Sequence, residues 1–243
     1  MRETTDSFGR AMLDWVQGAS TPEIIERNDG AIEIGAGPDG YLSRFKDWPI
    51  TERHSLNYVR GRVADVGCGG GRVALYLQQR GVDVVGIDVS ALTIKAARLY
   101  GVKSTWCASV DRVHERISDF DTIILFGNNL GVFGTPAHAR QILTTWAALV
   151  APGTRLLIES TNPYSGGAPI VDRAYCQMNR RKGMALGQCR LRVWYDRSPS
   201  KWFSWFFASQ SDLKQILRGT GWQPVDLVAS AKDDPYVAIF ERT

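Results

Sequence analysis

From Arg62 onward the chain repeats one unit: a short apolar run, a break at glycine or an acid, then an amphipathic stretch. RVADVG, VDVVGID, KSTWCAS, FDTIILFG and TRLLIES read as strands. GRVALYLQQRG, SALTIKAARLYG, DRVHERISD and TPAHARQILTTWAALV read as the helices between them. Strands alternating with helices at this spacing predict a doubly wound α/β fold with a parallel sheet. Nearly continuous apolar strands fit burial on both faces. After Ser160 the rhythm breaks, and residues 161–187 are rich in Gly, Pro and Arg. QCRLRVWYD and KWFSWFFAS predict a hairpin around RSPS, SQSDLKQILRGTGW a helix, and WQPVDLVAS with PYVAIFER a final strand pair. Ahead of the alternation, Asp6 or Ser7 caps a helix carrying Phe8, Met12, Trp15 and Val16. Thr21-Pro22-Glu23 opens a second helix, 30–49 is irregular, and Thr51 caps a third.

Composition narrows the class. The 243 residues are 44% hydrophobic and 22% charged, ordinary for a globular chain. The apolar runs are too short for a membrane span, and MRETTDSFGRAMLDW lacks the apolar stretch of a leader, so a cytoplasmic protein is expected. Cys68, Cys107, Cys176 and Cys189 form no C-x-x-C pair, and His54, His114 and His138 are scattered, so no metal site is expected. Net charge is +4 but uneven. Residues 161–207 hold eight basic residues against two acids, Asp172 and Asp196. Such a patch attracts anions: an acidic small molecule, a phosphate or nucleic acid.

Two glycine clusters compete for a ligand. VADVGCGGGR ends a strand and opens a helix, where bare backbone amides and a helix N-terminus meet a bound group. The next strand ends at Asp88, whose carboxylate can accept both hydroxyls of a ribose. The upstream GAGPDG has no long helix after it and no acid-ended strand about 20 residues on, so it reads as a turn.

The spacing Asp65-x-Gly67-x-Gly69-x-Gly71 departs from the dinucleotide G-x-G-x-x-G and resembles motif I of class I S-adenosylmethionine-dependent methyltransferases. GIDVS is similar to the motif after it, DTIILFGNN to the fourth strand and its loop, and LVAPGTRLLIES to the Pro-Gly turn into strand five. The resemblance implies a mostly parallel seven-stranded sheet with an antiparallel last strand, S-adenosyl-L-methionine as cofactor, and methyl transfer by in-line displacement. It covers roughly 61–160 and 210–242; with the unshared parts this gives a main domain over 61–243, whose aromatic insert 161–207 is expected to be a substrate lid, and an N-terminal helical cap over 1–60.

Carried onto this sequence, the resemblance implies that Gly67, Cys68, Gly69 and Gly71 let the methionine part approach the backbone. Asp65 orders its amino group, Asp88 binds the ribose and Val89 packs on adenine. Ser109 and Val110 read the adenine edge, with Asp111 as a substitute for the acid absent at Ser109. Asn128 lines the methionine and the methyl. The acceptor site must come from the unshared parts: Tyr41, Trp48, Asn129, Asn162 and Trp194 are candidates to bind it, and His54, Glu159 and Tyr164 to act on it. Gly127-Asn128-Asn129-Leu130 replaces the Asn/Asp-Pro-Pro-aromatic signature of nucleic-acid amino-methyltransferases. A small acceptor from secondary metabolism, acidic or aromatic, is therefore expected, at an O, N or C nucleophile, in a monomer or homodimer. An RNA methyltransferase using the basic aromatic insert is the alternative, and an NAD-dependent oxidoreductase a further one.

Overall fold

The computed structural model describes residues 6–164, 170–230 and 235–243. Its strands are β1 (Ile24–Arg27), β2 (Ile32–Ile34), β3 (Val63–Val66), β4 (Val84–Asp88), β5 (Thr105–Cys107), β6 (Thr122–Leu125), β7 (Arg155–Ser160), β8 (Gln188–Tyr195), β9 (Ser198–Pro199), β10 (Phe203–Phe206), β11 (Trp222–Ala229) and β12 (Tyr236–Arg242). The α-helices are α1 (Ser7–Val16), α2 (Gly37–Tyr41), α3 (Ile50–Ser55), α4 (Arg72–Gln78), α5 (Ala91–Tyr100), α6 (Pro136–Leu149), α7 (Arg173–Arg181) and α8 (Gln210–Leu217). None of the described helices is long and apolar enough to cross a membrane.

Seven strands form the main sheet in the order β11-β12-β7-β6-β3-β4-β5. The strands from β3 to β7 pair in parallel, and β12 inserts antiparallel beside β7, as expected. All residues of β3 and β6 are buried, because helices cover both faces. Local signals end the helices where the sequence predicts. Ser90 accepts from Thr93 N at the start of α5 and Gly101 stops it at φ +114°. Thr135 caps α6 ahead of Pro136. Ser209 and Asp212 form a capping box on α8.

The N-terminal region differs from expectation. Thr21-Pro22 opens no helix; Ile24–Arg27 is a strand, because its β-branched residues pair with β8, a partner about 165 residues away. The predicted hairpin strands β8 and β10 pair antiparallel and continue through β1 to β2. The expected cap and insert thus share one sheet, laid over the main one. The Gly/Pro/Arg-rich stretch also hides α7, capped by Asp172. GAGPDG makes the short helix α2, and its glycines serve packing: Gly37 N–H donates to the buried Glu23 carboxylate at 3.2 Å, which lies tight against Gly35.

Candidate functional site

A cavity of about 640 Å³ opens at the carboxyl ends of β3 and β4, under the small sheet. That is the size range of small-ligand sites. It lies where the chain diverges from β3 to neighbours on either side, β4 and β6.

Its floor is the glycine loop. Gly67 and Gly69 hold φ of +75° and +53°, a region side chains avoid. Gly67 N and Cys68 N donate to Ile87 O at 2.8 and 3.0 Å, which ties the loop to β4. Asn129 donates to Val66 O and Gly67 O at 3.1 and 2.7 Å, and a Cβ on Gly67 would collide with it. Asn129 reaches the cavity, yet its amide holds the loop. Gly71 (φ +88°) caps α4 against Val102 and Ala97 and lies outside the cavity lining.

Two acids stand at the strand ends. Asp88 accepts from Gly69 N at 3.2 Å and Ser90 N at 3.0 Å, and burial lifts its pKa to about 6. Asp65, 3% exposed, accepts from Ala74 N at 3.2 Å. Burial lifts its pKa to about 7, against the pull of Arg72. Beside them Val89 stands 70% exposed in the lining, an apolar surface without cover. Asn128, at φ +58°, faces the cavity with its buried Oδ1 unpartnered. Met12 of α1 packs on Gly69, and Asp6, which caps α1, accepts from the Ser90 hydroxyl. Both are cap contributions that sequence reasoning missed.

Several candidates lie elsewhere. His54 is exposed in a separate depression with Asn57, Tyr58 and β11, because α3 turns that face away from the cavity. Trp48 is core: its ring stacks near Phe45 and Tyr76 and under the Arg72 guanidinium. Tyr164 donates to Asp212 at 3.0 Å, and Asn162 accepts from Tyr164 N at 3.0 Å; neither lines the cavity. Ser109 and Val110 lie outside the lining, and Asp111 is engaged by His138 at 2.8 Å. Trp194 sits on the outer face of β8, donating to Glu26. Strand alternation sends Leu191 and Val193 inward and Arg192 and Trp194 outward.

Glu159 takes a structural role. It accepts from Gly127 N, fixing the loop after β6. Burial and the adjacent Glu52 push its carboxyl well above the ordinary range. Arg72, which the sequence reading overlooked, binds Glu52 through both terminal nitrogens and is the one cation lining the cavity among the described residues. Tyr41 does reach the cavity, stacked 5.7 Å from Trp15, with its hydroxyl against Glu23.

This geometry has known counterparts. The family model described as a methyltransferase domain matches residues 8–227. The chain belongs to this methyltransferase family. The matched residues take in both β3 to β7 of the main sheet and the strands β1, β2, β8 and β10 of the small one. The chain is 34% identical over 132 residues to a ubiquinone biosynthesis O-methyltransferase of Xylella fastidiosa, covering 47% of this chain and 52% of that one. It is 38% identical over 152 residues to the enzyme of that name from Idiomarina loihiensis, covering 58% and 61%. It therefore spans little more than half the length of these relatives. A SAM-dependent methyltransferase from Bacteroides fragilis, solved with S-adenosyl-L-homocysteine, shares the fold at TM-score 0.78 and 21% identity, covering 99% of this chain and 96% of that one.

Proposed function

We propose that this methyltransferase uses S-adenosyl-L-methionine to methylate an oxygen of a small-molecule acceptor. The single observation that carries the reading is one convergence. Gly67 to Gly69, Asp88 and Asn128, whose buried Oδ1 has no hydrogen-bond partner, all line one cavity. The residues fit the cofactor. A loop whose glycines lack Cβ atoms admits the methionine part, with Asn128 Oδ1 and Asp65 able to accept from its ammonium. Asp88 offers a two-oxygen acceptor to a ribose, and exposed Val89 a face for adenine. The bound cofactor supplies an activated methyl on a positively charged sulfur. The protein's part is then to align the acceptor and exclude water, an entropic contribution that can reach ~7–11 kcal/mol.

An oxygen acceptor is in keeping with the O-methyltransferase names of the relatives. The lining argues against an acidic acceptor: it carries Asp6, Glu33, Asp65 and Asp88 against Arg72, which Glu52 already engages. Arg192, from the basic insert, faces outward and pairs with Glu26 at 2.7 Å.

Calorimetry with S-adenosyl-L-homocysteine and with NAD tests the reading. Micromolar binding of the first and none of the second is expected; the reverse refutes it. Transfer of labelled methyl from S-adenosylmethionine to metabolite pools and to total RNA then identifies the acceptor class.

A further inference from the structure

The small sheet presents one ionisable side chain to the cavity. Glu33 of β2, Ile25 of β1 and Val193 of β8 stand in cross-strand register, Ile25 opposite both neighbours. All three line the cavity. Beyond them Leu191, Phe203 and Trp205 complete an apolar wall. The glycine loop and Asn128 line the same cavity. Glu33 is thus the one ionisable side chain of an apolar, aromatic surface, and it shares its cavity with the proposed cofactor site.

The carboxylate is held in place. Ile170 N–H donates to it, while Ile170 O accepts from Arg27 at 2.6 Å. Arg27 is itself spent on Asp29 and Asp172, so it does not neutralise Glu33. The titratable groups that act on Glu33 are Glu23 at the foot of β1 and Tyr41 of α2, which Arg72 of α4 faces in turn. Burial and then the Glu23 charge raise the Glu33 carboxyl above its ordinary value. That makes it a better proton acceptor than a solvated carboxylate.

We infer that Glu33 is the general base of the reaction and that the acceptor is a neutral, flat, apolar molecule bearing an ionisable hydroxyl. The inference rests on the methyltransferase reading above and adds the acceptor's chemistry. Glu33 takes the hydroxyl proton as that oxygen bonds the methyl carbon. The carbon–sulfur electron pair stays on sulfur, which passes from cationic to neutral thioether, and the proton leaves Glu33 for solvent. A carboxylate acceptor meets repulsion from Glu33 and an apolar wall that cannot solvate it. A neutral amine needs no base before attack, so Glu33 would have no task with it.

Binding and turnover test this separately. With S-adenosyl-L-homocysteine already bound, 2-naphthol and 2-naphthoate are titrated by quenching of tryptophan fluorescence, Trp205 being in the wall. Naphthol is expected to bind at least tenfold tighter, and Glu33→Gln to narrow that preference severalfold. Equal binding, tighter naphthoate, no binding of either, or an unchanged preference in Glu33→Gln overturns the acceptor class. Against whichever hydroxyl acceptor turns over, Glu33→Gln should lower kcat about a hundredfold. It should also remove the acidic limb of kcat against pH, measured with S-adenosylmethionine saturating at every pH so that protonation of Asp88 does not enter, with S-adenosyl-L-homocysteine affinity at pH 7.5 within twofold of wild type. An acidic limb that survives in Glu33→Gln, or full activity, removes Glu33 as base. Failure of the wild type to bind S-adenosyl-L-homocysteine at all would instead sink the methyltransferase reading.

Discussion

Arg72 grips Glu52 at 2.6 and 2.5 Å in the protein interior, with Glu52 only 1% exposed and the Trp48 ring 4.6 Å from the guanidinium. The pair sits between the cavity and the buried Glu159 that anchors the loop after β6. One cation thus serves two buried carboxyls beneath the site. Breaking such a pair from one side leaves an uncompensated charge and costs about 3–5 kcal/mol. Arg72→Met should lower the urea unfolding free energy by that amount at pH 7. The double variant with Glu52→Gln should lose less than the two single losses combined, because no orphaned charge remains. Additive losses would show the pair to be independent.

Asp88 should set the pH dependence of cofactor binding. Its carboxylate accepts hydroxyls only when ionised at both oxygens, and its pKa is near 6. Affinity for S-adenosyl-L-homocysteine should therefore fall as pH drops from 7 to 5, and Asp88→Asn should flatten that fall. Asp88→Ala should weaken binding about a hundredfold or more at pH 7.5, two charge-assisted hydrogen bonds at about 1.5–3 kcal/mol each. Isothermal calorimetry across the pH series reads both.

Asp65 predicts the opposite trend for stability without ligand. Its folded pKa of about 7 stands above the ordinary aspartate value of 3.8. The folded chain thus holds a proton that the unfolded chain releases. The stabilisation is complete below pH ~4 and is lost as pH rises through 7, on the order of 4 kcal/mol over the window. Asp65→Asn should remove that slope and make the protein more stable than wild type at pH 8, while weakening cofactor binding. Chemical unfolding from pH 4 to 8 decides it.

Gly131 lies flat beneath the Trp205 indole, where a Cβ would overlap the ring. Gly131→Ala should push Trp205 out of the acceptor wall. Methyl transfer should fall at least tenfold while S-adenosyl-L-homocysteine binding stays within threefold. Loss of both together would place the damage in the fold rather than the wall.

Gly67→Ala acts on the other half of the site. The position combines φ +75° with contact against the Asn129 amide. The substitution should destabilise the chain by about 1–3 kcal/mol and reduce cofactor affinity more than tenfold, by thermal shift and calorimetry respectively.

Alternating apolar runs and glycine stops determined the main sheet, because parallel strands buried on both faces need unbroken hydrophobic sequence and their helices carry their own caps. The same local chemistry marked the glycine loop and Asp88, since a tight strand–helix turn is written in consecutive residues, while Asp65 and Asn128 were marked by the family resemblance. Tertiary structure alone decided the acceptor side. Ile24–Arg27 became a strand only by pairing with β8. Strand alternation then turned Glu33 and Trp205 inward and Trp194 and Arg192 outward, and α3 carried His54 away. Those placements depend on contacts between segments more than a hundred residues apart, and no local pattern encodes which face of a short strand will meet a cavity.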